Sequence, residues 1–118
     1  MLVAVLAIAL TGSPANLTIT VWPTGRDHPA RVFTLRCEPL GGTLAARAAA
    51  CRQLSAFTDN PFAPIPPDSI CSQVYGGPHE ALVRGSFRGR KIWTRFSRRD
   101  GCAISRWDRL SFLFPVRL

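Results

Sequence analysis

The chain has 118 residues, of which 47% are hydrophobic and 19% charged. That is the size of one domain with apolar residues enough for a core, which excludes an intrinsically disordered protein. Its net charge of +8 is carried almost wholly by arginine and bears on solubility and anionic partners rather than on fold.

Residues 1–10 are uninterrupted apolar. The run is too short to cross a bilayer as a helix and fits the apolar region of a secretory signal peptide. Small residues suited to cleavage stand at Ala7-Ile8-Ala9 and at Ser13-Pro14-Ala15. A signal peptide is therefore expected over residues 1–15. The folded domain is expected over residues 16–118, secreted and free of the membrane once the signal is removed. Four cysteines, an even number, fit an oxidising compartment. They include no Cys-x-x-Cys pair, and only His28 and His79 could assist a metal, so no metal or other cofactor is expected.

Residues 17–22 are β-branched and alternating, the pattern of a half-buried strand. A turn-rich stretch from Pro23 to Pro29 follows, then a second strand over residues 32–37, ended by Pro39-Leu40-Gly41-Gly42. Thr43 is placed to cap a helix from Leu44 to about Ser55, on which Leu44, Ala48, Cys51 and Leu54 share one face. Cys51 then points inward, towards where the second strand delivers Cys37. Four cysteines allow three pairings, and their order along the chain suggests Cys37–Cys51 and Cys71–Cys102.

Residues 56–70 form a long irregular section whose run Asn60-Pro61-Phe62-Ala63-Pro64-Ile65-Pro66-Pro67 cannot be helix interior or central strand. Loops of that length in compact domains are usually functional or tied down. Next comes Ile70-Cys71-Ser72-Gln73-Val74-Tyr75-Gly76-Gly77-Pro78, an exposed extended loop with a cysteine at one end and a Gly-Gly-Pro turn at the other. A segment held extended and displayed outward is what a protease-inhibiting loop needs, because it resembles substrate yet loses little freedom on binding. Residues 81–87 and 91–96 suggest a hairpin turning at Arg88-Gly89-Arg90, followed by a short helix over residues 103–109 and a closing strand over residues 110–115. One α+β domain is the expectation.

An enzyme is disfavoured: there are two histidines, no Gly-x-Ser-x-Gly elbow and no phosphate-cradling glycine run. The serious competitor is a secreted basic binding module. Arg84, Arg88, Arg90, Lys91, Arg95, Arg98 and Arg99 are interleaved with Phe87, Trp93 and Phe96, the composition of a platform for single-stranded nucleic acid or another anionic polymer. Strand alternation explains the same pattern by placing aromatics in the core and arginines outside, and export removes most nucleic-acid partners, so no nucleic acid is expected.

The order of features resembles the subtilisin inhibitor-like family of secreted actinobacterial protease inhibitors. The residues that carry the resemblance are Leu17-Thr18-Ile19-Thr20-Val21, then Phe33-Thr34-Leu35-Arg36-Cys37-Glu38-Pro39, Gly41-Gly42-Thr43 and Ala48-Ala49-Ala50-Cys51-Arg52-Gln53-Leu54. Cys71 with Tyr75 follows, then Gly85-Ser86-Phe87-Arg88-Gly89-Arg90, Cys102 and Phe112-Leu113-Phe114. The resemblance implies a five-stranded antiparallel sheet with two helices packed on one face, a homodimer through the other face, and the two disulfides named above. It places the reactive bond two residues after the third cysteine, at Gln73-Val74. Gln73 would fill the primary specificity pocket of an extracellular serine protease, Ile70 a more distant apolar pocket, and Ser72 and Val74 the flanking positions, with Tyr75 adding contact area. A neutral Gln73 favours subtilisin-type targets over trypsin-like ones. The chain departs from the family pattern at Leu44-Ala45, where His-Pro is common, and at Phe87, where Trp is usual. It also has an extra residue around Gly76-Gly77, and Asp100 stands where an asparagine often supports the loop.

Overall fold

The computed structural model describes residues 13–118. The apolar run assigned to a signal peptide lies outside the described residues. Four strands, β1 (Ala15–Trp22), β2 (Arg31–Cys37), β3 (Glu80–Phe87) and β4 (Arg90–Ser97), form one sheet in the order β2-β1-β3-β4. Every neighbouring pair is antiparallel. Two helices, α1 (Arg47–Ser55) and α2 (Gly101–Arg109), accompany the sheet. The chain already joins the fold at Ser13 and Pro14, whose hydroxyl and carbonyl accept from Arg88.

Period-two alternation decides which face is buried. Ala15, Leu17, Ile19 and Val21 of β1 point inward with Leu35, Cys37, Ala81, Val83, Phe87, Ile92 and Phe96. Helix α1 adds Ala50 and Leu54 to this layer, and α2 adds Trp107. The β3–β4 turn has two residues, Arg88 at φ 51° and Gly89 at φ 77°, and Phe87 pairs with Arg90 across it. Positive φ at both central positions is the two-residue hairpin geometry that matches strand twist.

The structure differs from the sequence reading in the strand count, in the closing segment and in the start of α1. The sheet has four strands among the described residues, not five. Residues 111–113 form a 3-10 turn rather than part of a closing strand, because Leu110, Leu113 and Phe114 are the residues buried there, a helical rather than alternating spacing. Phe114 packs its ring 4.5 Å from Trp107 and 5.2 Å from Phe96, closing the core from below α2. Helix α1 begins at Arg47, not Leu44, and Ala48 is exposed. Thr43 does not cap it: the Thr43 hydroxyl accepts the Thr34 amide at 2.9 Å, and the amides of Thr43 and Leu44 donate to the Thr34 carbonyl. The turn after β2 thereby covers part of that strand's free edge, where unpaired backbone groups would otherwise face solvent.

The irregular section is tied down by arginines. Phe62 enters the core edge-on to Phe87, with ring centroids 5.4 Å apart. Arg106 of α2 donates to the carbonyls of Phe62, Ala63 and Arg95 and to the Thr94 hydroxyl, with its guanidinium over the Phe96 ring. Burial lowers the Arg106 pKa from its usual value, and these acceptors offset the desolvation. Arg88 similarly donates to the carbonyl of Phe57 at 2.6 Å and, at 3.5 Å, to those of Leu54 and Ser55, bonding carbonyls at and just beyond the end of α1.

Candidate functional site

Residues 70–76 follow the irregular section with neither helix nor strand pairing. Ile70 is fully exposed, and Ser72, Gln73, Val74 and Tyr75 are exposed. An apolar residue at full exposure gains nothing for the fold.

Braces hold the segment on either side of its centre. Cys71 is bonded to Cys102 in the first turn of α2, with Cα atoms 5.2 Å apart, inside the ordinary disulfide range. One residue on, the Ser72 carbonyl accepts the Gly101 amide at 2.9 Å. Beyond the centre, the Gly76 amide donates to the Arg98 carbonyl at 2.7 Å, and Arg98 Nε returns a bond to the Gly76 carbonyl at 3.2 Å. Among the described residues, no backbone hydrogen bond ties down Gln73, Val74 or Tyr75. The Gln73 side-chain amide folds back on the Cys71 carbonyl at 3.4 Å. A short bow of three residues is thus presented between fixed ends.

These braces arise from one stretch, the end of β4 and helix α2. Two glycines stand where it meets the loop most closely. A Cβ on Gly101 would meet Ser72 Oγ at 2.0 Å, and one on Gly76 would meet the Ile104 side chain at 2.8 Å. At either position the facing side chain, Ser72 or Ile104, would have to shift. Asp100 accepts the Ala103 amide at 2.9 Å and so caps α2. Its carboxylate stabilises the helix that carries the loop's anchors, while Gly101 and Arg98 make the bonds to the loop itself. Asp100 also lies with Cys71 and Cys102 in a group whose ligating atoms are within 4.8 Å of one another. Both sulfurs are spent in the disulfide, so that group offers no thiolate to a metal.

Both disulfides have the pairing read from the sequence. Cys37–Cys51 joins β2 to α1 with Cα atoms 5.7 Å apart, remote from the loop in sequence, whereas Cys71–Cys102 joins the loop to α2. The parts played by Arg98, Gly101 and Ile104 were not foreseen. The only hint in the chain is the pair of glycines, Gly76 and Gly101, at points of close approach.

The basic run between Arg84 and Arg99 does not form an aromatic platform. Phe87 and Phe96 are buried on the helix side of the sheet, and only Trp93 points out, under the Arg95 guanidinium. Arg88 and Arg98 are engaged in backbone carbonyls.

Residues 12–98 match the family model described as subtilisin inhibitor-like. A subtilase-type protease inhibitor of Streptomyces coelicolor and a protease inhibitor of Streptomyces lividans are each 35% identical over 85 residues, covering 68% of this chain. The match spans 58% of the length of those relatives. Among solved structures, Streptomyces caespitosus sermetstatin, crystallised in complex with Bacillus licheniformis subtilisin, superposes with a TM-score of 0.56 at 22% identity. That superposition covers 86% of this chain and 98% of sermetstatin. It extends the shared fold beyond the region matched by sequence.

Proposed function

Because the chain belongs to the subtilisin inhibitor-like family, we propose that it is a protein inhibitor of serine proteases, acting on subtilisin-type enzymes through the loop at residues 70–76. The observation that carries this reading is the bow itself: Gln73, Val74 and Tyr75 are exposed and unpaired between a disulfide on one side and the Gly76–Arg98 pair on the other. An extended backbone can join the edge of a protease cleft as an added strand, with alternate side chains entering pockets. In this reading Gln73-Val74 is the bond offered to the enzyme. Gln73 enters the primary pocket, Ile70 a distant apolar one, Ser72 and Val74 sit beside the bond, and Tyr75 extends the contact. The gain from such a loop lies in preorganisation rather than area. The target of an exported inhibitor is an extracellular protease, and the apolar run at residues 1–10 supports secretion. Among the described residues no helix is long and apolar enough to cross a membrane.

The same reading assigns the outer face of the sheet to self-association as a homodimer. Val32 and Trp93 stand there 59% and 57% exposed, beside half-buried Leu82 and Trp22. Arg36, Arg84, Lys91 and Arg95 share that face by the strand register, so its pairing works against like charge.

Titration of the oxidised protein against subtilisin, with mass spectrometry of the mixture, tests the assignment. Stoichiometric inhibition with a single nick between Gln73 and Val74 is the expected result. Neither inhibition nor cleavage there would refute both the class and the bond.

A further inference from the structure

Attack by the protease serine forms an ester between its Oγ and the Gln73 carbonyl carbon while the Gln73–Val74 C–N bond breaks. The serine proton passes to the Val74 nitrogen. Resynthesis is the exact reverse and consumes no water, whereas release as cleaved product consumes one. Which of the two wins depends on how closely the new Val74 amine stays to the acyl carbon.

The two halves are held differently. The acyl half is tied covalently by Cys71–Cys102 and again by the Ser72 carbonyl on the Gly101 amide. The amine half has no crosslink near the bond, and its first anchor is Gly76. That anchor is a reciprocal pair with one residue: Gly76 N–H to the Arg98 carbonyl and Arg98 Nε–H to the Gly76 carbonyl. The Arg98 side chain is only 11% exposed, and its Nη1 lies 2.8 Å from Asp108 Oδ1 at the far end of α2. One guanidinium thus spans loop and helix, a fork geometry that a lysine ammonium does not reproduce.

We infer that Arg98, oriented by Asp108, is the positioning residue for the leaving-amine side of the reactive bond, the non-covalent counterpart of Cys71–Cys102. This role rests on the inhibitor reading above. It limits motion of Val74 and Tyr75 to a tether of two residues, which keeps the effective concentration of the amine at the acyl carbon high.

The test uses the full oxidised protein, Arg98→Met, and Asp108→Asn, which alters an exposed position and keeps an acceptor should Arg98→Met fail to fold. Each is incubated with subtilisin, and the rate at which cleaved inhibitor is released is followed by mass spectrometry. Backbone amide exchange is measured in parallel on each free protein. Loss of a charge-assisted hydrogen bond in Arg98→Met should raise the release rate about tenfold or more, with a smaller rise in Asp108→Asn. Exchange should quicken at Gly76 while Gly101 stays protected, a local signature that general destabilisation does not produce. Wild type nicked and held at Gln73-Val74, with both variants released no faster, would overturn the role of Arg98 alone. Wild type neither inhibiting nor nicked there would overturn the inhibitor reading and this role with it.

Discussion

Replacing Cys71 and Cys102 together by serine removes the covalent tie on the acyl side of the loop, and the Cys37→Ser, Cys51→Ser pair provides the matched control. Sequence separations of 31 and 14 residues set the chain entropy each crosslink removes from the unfolded state. The loop-closure relation gives about 3.7 kcal/mol for Cys71–Cys102 and about 3.0 kcal/mol for Cys37–Cys51. Cys37 is buried, so a serine there also leaves a hydroxyl short of partners, at a cost of about 1–3 kcal/mol. The two double variants should therefore lose comparable stability in denaturant unfolding, yet only one loses a brace of the loop. With subtilisin, Cys71→Ser/Cys102→Ser should inhibit transiently, protease activity returning as a product cleaved between Gln73 and Val74 accumulates. Cys37→Ser/Cys51→Ser, assayed below its unfolding transition, should inhibit persistently. If the first variant stays intact and inhibitory, tethering is not what makes the loop resist hydrolysis. If both become transient, global stability rather than local anchoring is responsible.

Gln73→Lys should gain trypsin inhibition with an unchanged circular dichroism spectrum, whereas wild type should inhibit subtilisin more strongly than trypsin. A folded Gln73→Lys with no effect on trypsin would show that the reactive bond lies elsewhere. Arg106→Met should destabilise the domain by about 2–4 kcal/mol, since it strips a guanidinium from three carbonyls, a hydroxyl and a ring; an unfolding midpoint equal to wild type would remove Arg106 as the clamp on residues 62–63. Self-association through the outer sheet face should strengthen with added salt, because screening weakens the repulsion among Arg36, Arg84, Lys91 and Arg95 once the Debye length falls below about 10 Å. Sedimentation velocity at low and high salt measures this, and dimerisation that weakens with salt would point to a different surface.

Much of the frame was legible in the residues. Alternation set β1, β2, β3 and β4 to within a few positions, and Arg88-Gly89 marked the hairpin, because strand periodicity and turn chemistry are encoded in neighbouring side chains. The displayed loop was legible too, from a proline-rich approach, a cysteine and a Gly-Gly-Pro exit. What failed was local structure overruled by distant partners. Thr43 looked like a helix cap until Thr34 claimed its hydroxyl, and residues 110–115 looked like a strand until Trp107 and Phe96 received Phe114. The arginines show the limit most clearly. In sequence Arg88, Arg98 and Arg106 belong to a basic stretch or its margin, with nothing to separate them from Arg84 or Arg90. In the fold they reach carbonyls at Phe57, Gly76 and Phe62, far along the chain. A long side chain with several donors satisfies whichever acceptors packing brings near, and no local pattern specifies which those are. The sequence alone determined that a loop would be displayed; only the tertiary structure decided what holds it.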